Sequence, residues 1–589
     1  MISSADVLRP GGDIGGTWPA WWLGLLAMVV AGCADPVPPS LRPEPIAWAD
    51  TLPIPEPEAR DPIEVPKIMK DAMAGEMSRV ITIRNLAGEQ HEALNVTRWD
   101  DVVPSAWFEH RNAAHPLTPA QVEVGPTVGN GPDTTGALEI ISAKVQGVSP
   151  GFNIRDARGD RYVVKFDPKG FLHMSSAAGV ISNRLLHAAG YHVPEDFVFV
   201  FSKSKLAVAE GATIRGEDFE ERPLTLDVAF DVLAMTDTLP DGRYLAVSSK
   251  FVPGPPKGPF FFDGVRDDDP NDWYHHEFRR ELRGLYVVSS WINHVDMRFM
   301  NTMDAYVPPG YLKHYLIDFA ASLGSGTTRP HEPREGTEYN VDLWPSLGRV
   351  FSLGFYRVGW EGGEWEVIDP TIGWLEAEEF DPARWKPNWP NRAFQLATDR
   401  DGYWGAKLVG SFTDEQILAA VRAGRLPTAR ATDTLAKILM VRRDRVMDHW
   451  YRKVSPLENL SVVPQSATGA EENVLPVIVR FDDLGLRKGL WRADEIGYRW
   501  TLEHEALRRD WRGRGAAEAG DGRQRIVLGP GDRDPGERLS DEAPTGPDAI
   551  AKLEIEVEHL TGGERQPAVT VWLEWDASAG RYRVAGLEH

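Results

Sequence analysis

Two neighbouring stretches decide the fold, NHVDMRFMN at residues 293–301 and KHYLIDFAASLG at residues 313–324. The first follows an apolar pattern with helical spacing, and the second begins with an apolar strand that ends in an aspartate. They place Asp296, Asn301 and Asp318 in loops directly after regular elements. Loops held by rigid elements are where binding and catalytic side chains concentrate. These three residues are therefore the first candidates for a functional site.

The residues upstream predict a sheet. Short strands are predicted at residues 137–146, 152–155 and 162–166. Tight turns join them, which is typical of an antiparallel meander. The first turn contains Gly147 and Gly151, and the third strand carries Lys165.

The order of the elements predicts an α+β fold with two lobes. Beyond the meander, the sequence predicts a helix at 174–189, strands at 197–201 and 244–252, a Pro/Gly connector at 253–256, and helices at 277–293, 413–423 and 432–452. We expect a lobe with an antiparallel sheet over residues 68–255 and a helical lobe over residues 256–455. A ligand cleft between two such halves is the default expectation.

The polar residues of this region occur in the order that phosphoryl transfer requires. In that chemistry a lysine holds the nucleotide phosphates, an aspartate accepts the hydroxyl proton, and an asparagine and a second aspartate hold Mg²⁺. The chain supplies these residue types, in this order, as Lys165, Asp296, Asn301 and Asp318. Residues 294–301 also fit the catalytic-loop spacing H-x-D-x-x-x-x-N. Each piece alone fits an α+β domain with polar loop residues equally well, so the hypothesis depends on the order.

The motifs resemble those of the kinase-like superfamily, nearest to the divergent branch that contains HipA-type kinases, phosphatidylinositol kinases and spore-coat kinases. Closer still are bacterial proteins that share PGFxIRD at 150–156, KFDP at 165–168, GYHVPE at 190–195 and LIDF at 316–319. The resemblance covers residues 90–455.

This resemblance implies a role for each candidate residue. The implied roles are Asp296 as catalytic aspartate, Asn301 and Asp318 as Mg²⁺ ligands, Lys165 as the phosphate-contacting lysine, and Gly147 and Gly151 as parts of the phosphate loop. ATP and Mg²⁺ are expected as cofactors, and the acceptor is a protein, a sugar or a lipid.

Two departures from the family pattern concern the nucleotide loops. GVSPG at residues 147–151 stands in place of the G-x-G-x-x-G of ordinary protein kinases. Ala320 stands in place of the glycine of the metal-binding motif, and an alanine restricts the backbone more than a glycine does.

The third departure concerns the partner of Lys165. Active relatives pair this lysine with a helix glutamate, but this chain has Gly179 at the expected place and no acidic residue from 169 to 194. Either another carboxylate, Glu195 or Asp318, takes that role, or the site is weakened. The functional alternatives are therefore a phosphotransferase and a pseudokinase that acts as an envelope binding or scaffolding protein.

The N-terminal residues predict export and a lipid anchor. The chain has one cysteine, Cys33, and VAGC at residues 30–33 resembles a bacterial lipobox after an apolar run too short for a transmembrane helix. The alternative is a buried cysteine after an apolar helix. We expect a lipoprotein signal peptide at residues 1–33 and a Pro-rich tether at residues 34–67. The residue after the cysteine is Ala34 rather than an aspartate, and the resemblance to lipoprotein sorting in Gram-negative bacteria then implies the outer membrane.

Length and charge limit the other possibilities. At 589 residues the chain is too long for a single core, so two or three domains are expected. The formal net charge of -23 argues against a broad electrostatic grip on nucleic acid. The expected partners are the membrane, through the anchor, a nucleotide and the acceptor.

Residues 470–589 predict a separate β-rich accessory domain. Short strands are expected there, with a Gly/Arg-rich mobile loop at 508–543 between them. One alternative is an extension that packs on the helical lobe. Another makes this part a carbohydrate or surface binder carried by an inert core.

Overall fold

The computed structural model describes most of the chain from Asp50 onward. The described residues are 50–61, 91–129, 131–144, 150–215, 220–340, 342, 348–349, 351–352, 355, 357, 365–463, 477–504, 509–528, 550–560, 562, 565–576, 578 and 581–589. Cys33 and Gly147 lie outside them. Within these residues, no helix has both the length and the apolar character needed to cross a membrane.

The sheet-rich part is a mixed sheet of seven described strands. They are β1 (Leu138–Lys144), β2 (Gly151–Arg155), β3 (Arg161–Phe166), β4 (Asp196–Phe201), β5 (Leu206–Arg215), β6 (Glu221–Pro223) and β7 (Tyr244–Lys250), in the order β4-β7-β3-β2-β1-β5-β6. The predicted meander of β1, β2 and β3 is antiparallel, as expected. The expectation of a wholly antiparallel sheet is wrong. After β4, at one edge of the sheet, the chain crosses to β5, which pairs in parallel with β1.

Helices precede, cover and follow this sheet. They are α1 (Pro119–Val124), α2 (Met174–Ala189), α3 (Leu226–Leu233), α4 (Arg280–Trp291), α5 (Arg392–Gln395), α6 (Asp399–Gly410), α7 (Asp414–Ala423), α8 (Ala429–Tyr451) and α9 (Leu484–Arg487). Together with the sheet they confirm the α+β class. Helix α2 has the predicted bounds, and its Val180 packs against Val198 of β4 and Val247 of β7.

The hairpin of β8 (Thr302–Val307) and β9 (Tyr311–Leu316) follows α4. The hairpin connects the two stretches quoted first. Strand β8 starts directly after Asn301, and strand β9 ends two residues before Asp318. Helix α4 itself is almost wholly buried. It lies so close to α6 that a Cβ at Gly284 would be 2.4 Å from the Trp404 ring. This packing fixes the loop that carries Asp296.

The C-terminal residues form two antiparallel sheets. One contains β10 (Leu457–Val463), β11 (Val477–Asp483) and β14 (Arg523–Leu528), and the other contains β12 (Ile496–His504), β13 (Arg509–Ala516), β15 (Ile550–His559), β16 (Val569–Asp576) and β17 (Arg581–Glu588). Strands β13 and β14 lie inside the predicted mobile loop at 508–543, so that prediction is wrong for them. Their outward positions carry arginines, and the alternation of buried and exposed residues in β14 shows a regular strand.

This β-rich part shares one hydrophobic cluster with the helices. The cluster contains Trp291 of α4 and Leu439 of α8 together with Phe481 of β11 and Leu553 of β15. The geometry corresponds to the alternative of an extension that packs on the helical part.

Residues 50–61 belong to the segment interpreted as a Pro-rich tether, and they contact the folded body. Ile54 is buried, and its amide donates to the carbonyl oxygen of Gly310 at 2.8 Å. The Glu56 carboxylate accepts from Lys257 Nζ at 2.6 Å. Part of this segment therefore lies along the hairpin side of the molecule.

Candidate functional site

The candidate site begins with an ion pair between the sheet and the loop after β9. Lys165 Nζ of β3 lies 2.5 Å from Asp318 Oδ2, and the two side chains are 19% and 36% exposed. Asp318 has a φ of 62°, in the left-handed region that non-glycine residues seldom adopt. Such backbone strain costs of order 1–3 kcal/mol and persists only where neighbouring structure determines it. The structure thus brings together two of the predicted site residues that lie far apart in sequence.

The loop after α4 is organised by a side-chain amide. Asn301 Nδ2 donates to Asp296 Oδ2 at 2.9 Å and to the Asp296 carbonyl oxygen at 2.7 Å. These bonds use the donor atom of Asn301, and its acceptor atom Oδ1 takes no part in them. The amide therefore positions Asp296 while keeping an oxygen of the type that a hard cation prefers.

The hairpin backbone connects this loop to Asp318. The amide of Ile317 donates to the carbonyl oxygen of Asn301 at 3.0 Å, and Thr302 pairs with Leu316. Asn301 and Asp318 consequently lie at the same end of the hairpin. The charge of Asp318 also acts on Asp296, where it raises the pKa.

Asp296 has a cationic neighbour that the sequence motifs did not indicate. Arg298 Nε lies 2.9 Å from Asp296 Oδ1, and Arg298 Nη2 donates to Oδ2 at 3.2 Å. Burial raises the pKa of Asp296, while Arg298 and the bond from Asn301 lower it, and the net direction is upward. A carboxyl with a raised pKa is a stronger proton acceptor once it is ionised.

The oxygen ligands fit a magnesium ion that arrives with a nucleotide. Mg²⁺ is commonly bound by one or two carboxylates together with substrate phosphates and water. Asp318 and Asn301 Oδ1 supply that kind of partial site. Among the residues that the structure describes, no group of three or more His, Cys, Asp or Glu side chains could hold a metal by itself. A carboxylate and an amide oxygen are donors that would hold Mg²⁺ only together with other oxygens, such as those of a bound phosphate.

Gly151 has a packing role beside Lys165. It is the first residue of β2 and pairs directly with Lys165. A Cβ at this position would lie 2.4 Å from the carbonyl oxygen of Val164, so only glycine allows the strands to approach this closely. The turn that contains Gly147 falls outside the described residues.

Helix α2 faces the lysine strand without a carboxylate. A Cβ at Gly179 would meet only Val247 Cγ2, at 3.9 Å, and Val247 is the direct cross-strand partner of Lys165. The position expected for a helix glutamate thus does lie over this part of the sheet.

Serine hydroxyls connect α2 to the residues after Asp318. Ser182 Oγ lies 2.7 Å from Ser322 Oγ, and Ser175 Oγ lies 3.1 Å from Ser325 Oγ. All four side chains are buried. Helix and loop are therefore joined by neutral hydrogen bonds rather than by an ion pair.

The carboxylates at the start of β4 differ in their surroundings. Glu195 Oε2 accepts from the amide of Val128 at 2.9 Å, so this candidate partner of Lys165 is used elsewhere. Asp196, which sequence reasoning missed, is buried, and its Oδ1 has no hydrogen-bond partner. Burial raises the pKa of Asp196 to about 7 against the lowering effects of Ser249, Arg184 and Lys165. The alternation of β4, in which Asp196 shares a face with Val198, is the sequence signal that could have found it.

The arrangement can bind an anion at Lys165, a hard cation at Asp318 and Asn301, and a hydroxyl proton at Asp296. Comparison of the chain with protein-family models, with curated proteins and with solved structures found no match.

Proposed function

We propose that this chain is a phosphotransferase of the kinase-like type, which moves the γ-phosphoryl group of Mg²⁺-ATP to a hydroxyl acceptor. The observation that carries the proposal is the convergence of Lys165 and Asp318 at 2.5 Å, with Asn301 bonded to Asp296 at the same end of the hairpin. These residue types, in this order along the chain, supply the parts that phosphoryl transfer needs. On this proposal the sheet-rich part and the helical part are two lobes around a nucleotide cleft.

Each residue has one task in the proposed reaction. Lys165 binds the phosphate oxygens, and Asp318 and Asn301 would hold Mg²⁺, which would supply positive charge at those oxygens. Asp296 accepts the proton of the acceptor hydroxyl as that oxygen bonds to the γ-phosphorus. The bond from the γ-phosphorus to the bridging oxygen breaks, and ADP leaves with the electron pair.

A second candidate function is that of a pseudokinase, an envelope binding or scaffolding protein. The observation that favours it is that the charges of the site already neutralise one another, Lys165 against Asp318 and Arg298 against Asp296. A nucleotide has to displace the first of these pairs. An exported protein also has no ready supply of ATP, so a transferase there needs an unusual donor.

The test of the first function is transfer of labelled γ-phosphate by the full chain. Asp296→Asn should lower the rate by about 10²–10⁴-fold, because positioned base catalysis contributes that much. Asp267→Asn, the same chemical change at an exposed site, is the matched control and should leave the rate unchanged. Undiminished transfer by Asp296→Asn would refute the assignment of the base. Absence of both Mg²⁺-ATP binding and transfer in the wild-type chain would favour the pseudokinase.

For its location, we propose an envelope protein that a lipid on Cys33 anchors in the outer membrane of a Gram-negative bacterium. The proposal rests on the lipobox-like VAGC at residues 30–33. Cells that express the full chain should incorporate labelled palmitate into it, and Cys33→Ala should abolish the incorporation. Equal labelling of both chains, or of neither, would contradict the anchor.

A further inference from the structure

The proposed task of Asp318 is to hold Mg²⁺, and this task would compete with the ion pair that Asp318 forms with Lys165. Without nucleotide its carboxylate neutralises the ammonium of Lys165 at 2.5 Å. When it turns to Mg²⁺, Lys165 loses that partner at a position where its side chain is only 19% exposed. The phosphates would then neutralise Lys165, and a second carboxylate on the sheet would hold its ammonium in position beside them.

The strand register places one further carboxylate on the same face of the sheet. Lys165 pairs with Val247 of β7, and Val247 pairs with Val198 of β4. Directly paired residues project to the same face, and so do residues two apart on one strand. Asp196 lies two residues before Val198 and therefore shares the face of Lys165.

The surroundings of Asp196 leave one of its oxygens uncommitted. The residue is 3% exposed, yet Oδ1 has no hydrogen-bond partner. The neighbouring cation Arg184 donates to the main-chain oxygen of Asp196 at 2.9 Å and to Asn183 Oδ1 at 2.7 Å. A buried acceptor without a partner costs free energy, so it is a poor choice for a purely structural position. The charges of Lys165 and Asp318 both act on the pKa of this carboxyl, in opposite directions.

We propose that Asp196 is a positioning residue, which holds the Lys165 ammonium when Asp318 turns to the magnesium ion. It takes the place of the helix carboxylate that this chain lacks at Gly179. The inference rests on the proposed phosphoryl transfer, because it needs the metal-binding role of Asp318. On this proposal Lys165 changes its ion-pair partner from Asp318, in the loop after β9, to Asp196, at the start of β4.

The first experiment needs no nucleotide. Urea unfolding of Lys165→Met, Asp196→Asn and the double variant gives the coupling between the two residues, measured once in the wild-type chain and once with Asp318→Asn. With Asp318 present, we expect a coupling below about twofold in the unfolding equilibrium constant, because the lysine is already neutralised. With Asp318→Asn, we expect about tenfold. No coupling in the second background would overturn the proposal.

The second experiment separates positioning from a structural role. KM for Mg²⁺-ATP and kcat are measured with water as acceptor for the wild-type chain, Asp196→Asn and the control Glu195→Gln, an adjacent acid whose carboxylate is bonded elsewhere. Asp196→Asn should raise KM by about tenfold, the loss of one charge-assisted contact, and Glu195→Gln should not.

The decisive measurement is whether a carboxylate placed on α2 restores the function that is lost in Asp196→Asn. Gly179→Glu adds a side chain at a position where, among the described residues, the new Cβ would meet only Val247, at 3.9 Å. The double variant Gly179→Glu with Asp196→Asn should recover the wild-type KM. Equal KM values for wild type and Asp196→Asn would overturn the proposal. A strong coupling with Asp318→Asn in a chain that does not bind Mg²⁺-ATP would instead refute the transferase and leave the Asp196–Lys165 pair intact.

Discussion

Two groups of charged side chains in this protein have opposite surroundings. The first, named the cleft group after the proposed nucleotide cleft, consists of the charged residues Lys165, Asp196, Asp296 and Asp318 with the neutral Asn301. The second, the buried ionic cluster, consists of Asp100, Arg280, Arg283, Arg400, Asp401 and His589. In the cleft, the Lys165–Asp318 pair is 19% and 36% exposed. In the buried cluster, Arg280 contacts Asp401 at 2.7 Å, and Arg283 contacts Asp401 at 2.9 Å. The side chains of these three residues are at most 1% exposed.

The difference in exposure separates buried charges that stabilise the fold from partly exposed charges that the proposed nucleotide would contact. The buried cluster joins α4 and α6 to the segment near residue 100 and to the C-terminal residue His589, which contacts Asp100 at 3.2 Å. Although burial raises the pKa of Asp100, Arg280 and Arg400 hold it well below its ordinary value. In the cleft group, Lys165 and Asp318 form an ion pair whose side chains are both partly exposed. A pair of this kind contributes little to stability, so it can be broken without unfolding the protein.

The largest expected effect on stability is therefore in the buried cluster. Asp401→Asn should lower the free energy of unfolding by about 3–5 kcal/mol, because it leaves two buried arginines without their shared carboxylate. Urea unfolding measures the change. Asp399→Asn, an exposed acid in the same helix, is the control and should change stability by less than about 1 kcal/mol. Similar losses in the two variants would remove the distinction between the regions.

A buried carboxyl with incomplete pairing should behave differently from Asp401. Asp50 accepts from the amide of Ala106, and its Oδ1 has no hydrogen-bond partner. Burial raises its pKa from 3.8 to about 6, against the lowering effect of Arg279. A raised pKa in the folded state means that the stabilising protonated form is present below pH 3.8 and is lost as the pH rises through 6.

The expected cost of ionising Asp50 is about 3 kcal/mol, from two pKa units at 1.36 kcal/mol each. Asp50→Asn removes this cost, so the variant should gain stability relative to wild type between pH 4 and pH 7. Urea unfolding at both pH values measures the gain. A difference between the two chains that does not change with pH would show that Asp50 is ionised as easily in the folded state as in the unfolded one.

The cleft should respond to a ligand as the buried cluster does not. Mg²⁺-ATP at about 100 times Kd should stabilise the full chain by about 2.7 kcal/mol, and the thermal-shift signal should disappear in Asp318→Ala. The conservative variant Asp399→Asn should retain the shift. If the wild-type chain shows no thermal shift at millimolar nucleotide, the result would favour the pseudokinase alternative.

The smallest expected effect is that of breaking the cleft ion pair itself. Lys165→Met should change the free energy of unfolding by less than about 1 kcal/mol, because partly exposed pairs contribute little. Chemical denaturation beside Asp401→Asn tests this directly. A loss as large as that of Asp401→Asn would mean that the cleft pair also holds the fold.

Local patterns predicted the elements with clear stop signals. Helix α2 has the predicted bounds because its apolar spacing ends at Gly190, whose φ of 124° few other residues adopt. Strands β13 and β14 were missed because their Arg-rich outward positions hide the buried alternation. The parallel pairing of β1 with β5 was missed because it joins strands that are distant in sequence, and no local pattern specifies such a partner.

The site residues divide in the same way, into those that a local pattern indicates and those whose role depends on tertiary contacts. Asp296 and Asn301 were predicted from a motif with fixed spacing, and Asp318 was predicted from its position at the end of an apolar strand. Arg298 and Asp196 were not found, because their relevance comes from tertiary contact. An arginine two residues after an aspartate, or an acid at the start of a strand, has no distinctive spacing.

The serine bonds between α2 and the loop after Asp318 bear on how the protein could be regulated. Ser182 with Ser322 and Ser175 with Ser325 tie the helix to that loop without any charge that pH or salt could weaken. A helix held in this way cannot swing outward as a switch without breaking buried hydroxyl contacts. A movement of α2 away from this loop would therefore be resisted by four buried hydroxyl groups at any pH or salt concentration.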